Sequence, residues 1–406
     1  MLIKPQKLLI IQNKLKKFKY LILIFIITAA VLGFSFIQYF DPIVIFERTL
    51  LLIVFPVISF FVGIFTLKAS FAYTERLFAI LFFAIILGLN FFSKRFWCQN
   101  ICPLGGLFAF FAKFSLFKFI FGDGCKQCAL CEKICPTRAI DSKNETIDTG
   151  ECIICLNCIY ECPENVIKYK IRFTQPEFDI KKRQVIFSIG SAFVLAPLLR
   201  SVHHQKIEGR LIRPPGSIPE SEFLSRCLHC GRCMKVCPTN GLQPCLFESG
   251  ILGLWTPRLV PRIGACEKNC NMCGKVCPTS AIRNLSLKEK SYAKIGTAII
   301  DKARCIAWEQ NKACLICDEA CQYNAIKMIN ETIYGISLSR PVVDERICTG
   351  CGMCENRCPV EGTAAIQVYS IGEERKQSGS YITEEKEKLR SCEEKEEDIP
   401  SGFMIK

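Results

Sequence analysis

The chain has 406 residues, enough for two or three cores, and 28 of them are cysteine, far above ordinary globular usage. A disulfide framework belongs to small secreted domains, whereas this chain is long and repeats its cysteines in quartets. The formal charge of +14 invites a nucleic-acid reading, which the cysteine chemistry below removes.

In chain order, Lys4, Lys7, Lys14, Lys16, Lys17 and Lys19 precede Tyr20 to Ile37, an uncharged run of about one bilayer thickness. This predicts a membrane helix with its N-terminus inside. Thr49 to Leu67 is a second apolar run, interrupted by Pro56, and Leu77 to Phe92 a third, so residues 1–95 read as an anchor of two to three segments. Basic stretches before and after these runs both favour the inner side, so the Pro56 segment is expected to be re-entrant or interfacial. Glu47 and Arg48 read as end charges that snorkel, with service to a quinone as the functional alternative.

Residues 96–124 hold Cys98 and Cys102 in a C-x3-C-P motif, followed by Leu104 to Phe121, aromatic-rich and read as an interfacial helix. The two cysteines are either buried thiols on one helical face or a redox or cofactor-contacting pair near the quinone level. Residues 125–170 form a first soluble module. In residues 171–205, Lys181, Lys182 and Arg183 precede Gln184 to Leu199, which predicts a fourth membrane segment; Lys182-Arg183-Gln-Val-Ile-Phe looks like a degenerate twin-arginine signal placed internally. Residues 206–370 form a second soluble module, opened by Arg213-Pro-Pro-Gly-Ser, and residues 371–406 a charged flexible tail.

The quartets carry the chemistry. Cys125, Cys128, Cys131 and Cys135 with Pro136 give C-x2-C-x2-C-x3-C-P, and Cys152, Cys155, Cys158 and Cys162 with Pro163 repeat it. Three thiolates at this spacing reach three irons of one [4Fe-4S] cube, while the fourth cysteine serves the neighbouring cube. Cys162 is thus expected to complete the first set and Cys135 the second. The second module adds Cys227, Cys230, Cys233 and Cys237; Cys266, Cys270, Cys273 and Cys277; Cys305, Cys314, Cys317 and Cys321; and Cys348, Cys351, Cys354 and Cys358. Its third quartet departs from the rule, with eight residues between Cys305 and Cys314 and Gln322 in place of proline, which predicts a more exposed or differently tuned cluster. Apolar pairs after the quartets, such as Ala139-Ile140, Val166-Ile167, Ala281-Ile282, Ala325-Ile326 and Ala365-Ile366, read as short strands. Little core is left, so the clusters themselves crosslink the fold.

Zinc ribbons separate their C-x2-C pairs by longer spacers, and the Cys266, Cys270, Cys273 triad, although spaced as in radical SAM enzymes, is completed by Cys277-Pro278. No histidine falls in an apolar run, and neither a C-x-x-C-H haem motif nor a glycine-rich nucleotide loop is present. Cys245 and Cys392 stand outside the quartets and receive no ligand role. Clusters near a charge of about −2 each contribute about −12 in total, so the basic excess mostly balances them and no nucleic acid is expected as partner.

With these motifs in hand, Lys19 to Lys170 resembles the second half of NapH-type membrane polyferredoxins, the quinol dehydrogenase ferredoxin subunits of periplasmic nitrate reductase systems. Phe96-Trp-Cys-x3-Cys-Pro-Leu-Gly followed by two quartets carries the likeness. Residues 206–370 resemble their four-cluster, NapG-like partner, notably in Leu254-Trp-Thr-Pro-Arg-Leu-Val-Pro-Arg-Ile-Gly before Cys266. The resemblance implies that in the second module the first quartet pairs with the fourth and the second with the third. NapH-type subunits also carry an earlier helix pair with its own C-x3-C-P, which is absent here and leaves a second polypeptide or a shortened gene to explain the difference.

The expected architecture is α+β: N-terminal transmembrane helices, a two-cluster ferredoxin-like module, a further membrane segment and a four-cluster ferredoxin-like module. The expected function is electron transfer on six [4Fe-4S] clusters between a quinone pool or membrane partner and other redox subunits, as the carrier subunit of an oxidoreductase rather than by transforming a substrate. A redox sensor would need an open cluster site or an effector domain, and an assembly scaffold would hold clusters that never turn over with quinol. The expected location is the cytoplasmic membrane of a prokaryote, multi-pass and in contact with lipid, with the first module cytoplasmic and the second external.

Overall fold

The computed structural model describes residues 16–66, 76–92, 95–171, 181–204, 209–246, 248–333 and 336–388. Lys4, Lys7, Lys14 and Cys392 lie outside the described residues. The chain divides into two compact units, Met1–Phe46 with Ile80–Leu198, and Glu47–Ala79 with Leu199–Lys406.

The expected apolar runs become helices with shifted ends. The first, Phe18–Val31, is shorter than predicted, because Gly33 takes a positive φ of 84° and its N–H caps Ala30 O, turning the chain out of the helix. Pro42–Thr49, a π-turn at Leu50–Val54 and Phe55–Thr66 run on without interruption. Pro56 makes no break in the helix; the π-turn just before it absorbs the hydrogen bond that proline cannot donate. Among the described residues, one helix, Pro42–Ser59, is long and apolar enough to cross a membrane. Arg76–Phe92 covers the third run and Lys182–His204 the fourth, where Ser188 Oγ donates to Leu21 O at 2.7 Å and ties it to the first helix.

The interfacial helix expected over Leu104 to Phe121 is half strand. Helix Pro103–Lys113 stops, and β1 (Phe117–Phe121) pairs antiparallel with β4 (Ile167–Ile171), Phe119 opposite Tyr169. The stretch Phe-Lys-Phe-Ile-Phe is aromatic and alternates at Lys118, which suits a half-buried strand. β1 thus joins the sheet edge formed by the stretch that follows Cys162. Between β1 and β4 lie helix Leu130–Ile134, the hairpin β2 (Ile140–Asp141) and β3 (Thr146–Ile147), and helix Asn157–Tyr160. The core of this first module is small: Ile140, Val166, Ile167 and Cys131, with Phe119, Phe121 and six more apolar or cysteine side chains against them.

In the second unit, β5 (Leu242–Pro244) pairs with β6 (Pro257–Leu259), β7 (Thr297–Ile300) with β10 (Ile366–Tyr369), and β8 (Ile326–Ile333) with β9 (Ile336–Val343), all antiparallel. The apolar pairs after the quartets do start strands: β2, β4, β8 and β10 begin at Ile140, Ile167, Ile326 and Ile366, and Ile282 makes a single bridge with Ser217. After Cys237 the place of that small residue is taken by Gly241, where a Cβ would lie 1.9 Å from Gly264 O. Residues after 371 are not all loose tail: Tyr381 is fully buried against Leu285 and Ala293.

Candidate metal centres

The fourth cysteines cross over. Cys131 neighbours Cys128, Cys125 and Cys162, and those four thiols line one cavity with Pro163, whereas Cys158 neighbours Cys152, Cys155 and Cys135. Both sets are those expected from the spacing. In the second unit Cys233 stands with Cys227, Cys230 and Cys277, and Cys273 with Cys266, Cys270 and Cys237. Cys305, Cys314, Cys317 and Cys358 line a second cavity, and Cys321, Cys348, Cys351 and Cys354 a third.

The pairing expected there from the family likeness is therefore overturned: the first quartet pairs with the second and the third with the fourth. Helix packing is the physical reason. Each crossing brings two short helices that follow a cysteine loop against each other, Arg232–Lys235 with Met272–Lys275 and Ile316–Glu319 with Met353–Arg357. The two pairs meet where Cys266 N–H donates to Cys351 O at 2.8 Å, while Arg262 donates to Glu355 O, Cys358 O and Val360 O. Gln322, standing where proline is usual, accepts from Lys268 N–H at 2.6 Å and so links the second quartet to the third. The eight-residue insertion folds into helix Ile306–Glu309, with Trp308 Nε1 donating to Pro341 O at 3.1 Å and its ring between Lys302 and Arg340. Cys305, Cys314, Cys317 and Cys321 stay half-buried, with Leu315 and Ile316 exposed beside them, whereas Cys348, Cys354 and Cys358 of the fourth quartet are buried.

The loops are shaped for a bulky anionic group. In four of them the residue before the second cysteine and the residue after it are both left-handed: Gln127 and Ala129, Ile154 and Leu156, His229 and Gly231, Gly350 and Gly352. Most of these are not glycine, so the backbone holds a conformation that costs about 1–3 kcal/mol per residue and persists only where its surroundings impose it. Arg138, Asn165, Asn240, Ser280 and Asn324, each three residues after a fourth cysteine, repeat the conformation. These turns aim N–H groups at sulfur: Ala139 at Cys135 Sγ (3.3 Å), Ala325 at Cys321 Sγ (3.2 Å) and Ile282 at Cys277 Sγ (3.4 Å); strand β7 adds Ala298 at Cys348 Sγ (3.5 Å). Among the described residues no three His, Cys, Asp or Glu side chains close on a single ion; the thiols ring cavities instead, which fits a cube better than one ion.

Electrostatics point the same way. Burial, then the thiols beside it, pushes Cys158 up to about 11, and Cys227 and Cys273 to about 12; Cys233 and Cys354 are driven well up for the same reasons. A thiol raised in this way ionises only against a strong positive charge beside it. His229 is buried, and burial followed by Arg48 and Arg213 lowers it to about 3, so it is neutral beside Cys230. Cys245 is fully buried and accepts from Arg213 Nη1 at 3.6 Å, outside every set.

Cys98 and Cys102 do not share a helical face. Helix Phe96–Asn100 ends between them, leaving Cys98 exposed, while buried Cys102 caps helix Pro103–Lys113 by accepting from Gly105 N–H at 3.4 Å. Glu47 and Arg48 do not snorkel: Glu47 accepts from Arg232 Nε at 2.5 Å, and the buried Arg48 guanidinium lies 3.7 Å over the Trp255 ring. Leu51 rests on Gly231, so the π-turn of the long apolar helix is seated on the Cys230 to Cys233 loop.

Sequence reasoning missed the polar centre beneath that loop. Buried Arg213 pairs with Glu220 at 2.5 Å and also donates to Thr256, Ser249 and Pro257 O, while Arg375 closes on the other face of Glu220. Burial alone would raise the Glu220 carboxyl, but Arg213 and then Arg375 pull it well below the usual carboxylate range. Arg213 sits in a turn-rich stretch with no periodicity, so nothing local marks it as interior.

Crossed cysteine quartets in such backbone cradles define a ferredoxin-type iron–sulfur protein. Comparison with known families agrees: residues 75–122 match a 4Fe-4S binding domain, and residues 151–242 and 312–361 each match a 4Fe-4S dicluster domain. The chain is 36% identical over 186 residues to the methylamine utilization ferredoxin-type protein MauM of Paracoccus denitrificans, covering 43% of this chain and 78% of that protein. It is 32% identical over 178 residues to the ferredoxin-type protein NapG of Escherichia coli, covering 41% and 73%. The chain belongs to the ferredoxin-type protein family that includes MauM and NapG, and it carries electrons on multiple [4Fe-4S] clusters.

Proposed function

We propose that the protein is a membrane-attached relay of six [4Fe-4S] clusters, linking a quinone pool or membrane partner to other redox subunits, and that it joins a NapH-like part to a NapG-like one. The crossing of fourth cysteines in all three quartet pairs carries this reading, because it gives six sets of four thiols with no quartet left over. Bound in these sets, such clusters supply one-electron transfer at potentials set by hydrogen bonds, charge and burial. The protein's own groups hold the thiols and aim N–H donors at several of their sulfurs. In the second unit the sets form a row: Cys227, Cys230, Cys233 and Cys277 beneath the apolar helix, then the Cys266 set, the Cys348 set across the Cys266–Cys351 contact, and the Cys305 set.

Membrane attachment is supported by the long helix, whose Ile43, Phe46, Leu50, Val54, Val57 and Phe61 present a continuous exposed apolar stripe. The test is stopped-flow mixing of anaerobic, membrane-extracted protein with a quinol analogue, read by EPR. Reduction of the clusters within turnover time is expected. Clusters that dithionite reduces and quinol never does would reassign the protein as a scaffold.

A further inference from the structure

The helical part of the first unit does not touch its ferredoxin module at random; its buried polar contacts converge on one set of cysteines. Lys19, at the start of the first helix, makes an ion pair with Glu151 at 2.5 Å, with side chains 2% and 7% exposed. Glu151 is the residue before Cys152. Gln99, the residue after Cys98, donates from Nε2 to Thr137 O at 3.1 Å within the protein, two residues after Cys135. Gly150 packs so closely on helix Pro103–Lys113 that a Cβ there would meet Ala109 O at 3.3 Å. Cys135 and Cys152 belong to the same set, completed by Cys155 and Cys158. The other set is tied within its own module, by Lys126 to Glu164 and by Glu132 to Ser142.

A buried ion pair costs desolvation and contributes little net stability, and its best-attested use is to fix one arrangement among several. Here it fixes which face of the module meets the C-x3-C-P element. We infer that the set of Cys135, Cys152, Cys155 and Cys158 is the one through which the first unit exchanges electrons with the helical, Cys98-bearing side, and that the set completed by Cys162 is the distal one. Lys19, Glu151 and Gln99 act as positioning residues for that exchange. The inference rests on the cluster-relay reading above and adds an order within it.

Cys98 is exposed and Cys102 buried, so a nitroxide can be placed on Cys98 of the anaerobic holoprotein carrying Cys392→Ser. Reduced paramagnetic clusters speed the relaxation of a nearby label, and the potential at which they do so identifies the cluster sensed. Removing the carboxylate beside Cys152 (Glu151→Gln) or beside Cys131 (Glu132→Gln) raises the midpoint of the adjacent cluster. The relaxation midpoint of the label is expected to rise with Glu151→Gln and to stay put with Glu132→Gln. If a lone buried lysine prevents folding, Glu132→Gln alone carries the test: the midpoint of the cluster completed by Cys162 must rise while that of the label stays put. A midpoint that follows Glu132→Gln, follows both equally, or shows no relaxation enhancement while the cluster signals are intact overturns the order proposed here. Absence of the cluster signals themselves would instead remove the relay reading.

Discussion

The two units hold the same chemistry in different surroundings. In the first, Cys128 and Cys155 are exposed and Ile153, Ile154 and Leu156 stand open to solvent around the loop. In the second, Cys348, Cys354 and Cys358 are buried and a charged centre built on Arg213 lies beneath the first set. The contrast teaches that one loop shape can be held in two ways: by cluster ligation over a small core, or by ligation together with a network of side chains remote from the sulfur.

Five experiments break or sharpen that contrast. The largest effect is expected from Cys277→Ala. It should abolish the EPR signal of the Cys227, Cys230 and Cys233 set and leave that of the Cys305 set, whereas pairing of the second quartet with the third would strike the Cys305 set instead. Next comes Glu220→Gln, which leaves the Arg213 guanidinium buried without its carboxylate and should destabilise the second unit by about 3–5 kcal/mol in denaturant melts. Glu164→Gln, at the exposed Lys126 pair of the first unit, should leave the unfolding midpoint unchanged.

Acid should discriminate the units as well. Glu220 is held below its ordinary value of 4.5 when folded, so its stabilisation is complete above about pH 4.5 and is lost as pH falls further. The second unit of wild type should therefore lose stability below that pH, and Glu220→Gln should show a flatter acid limb. The smallest effect is kinetic: on brief exposure to oxidant, signals from the first unit should fade before those of the second, because Cys128 and Cys155 are open to solvent. Equal rates of loss would remove exposure as the cause.

Much of the site was legible because ligand spacing is local. Cys125, Cys128 and Cys131 must lie on one loop whatever the rest of the chain does, and the Ala-Ile pairs announced strands that the structure shows. What spacing does not encode is which distant quartet lends its fourth cysteine; that choice is made by helix packing and by Gln322 and Arg262 reaching across the module. Phe117–Phe121 was read as helix because its aromatic run continues from a true helix, and only pairing with Ile167–Ile171 makes it a strand. Arg48 looked like a boundary charge because its partner, Trp255, is far away in sequence.

The most direct test of the account is the metal itself, counted per chain in anaerobically purified protein together with acid-labile sulfide. Six cubes predict about 24 irons and about 24 sulfides, with visible absorption that bleaches on adding dithionite. A chain that carries only a few irons, or a colour that dithionite leaves unchanged, would contradict it.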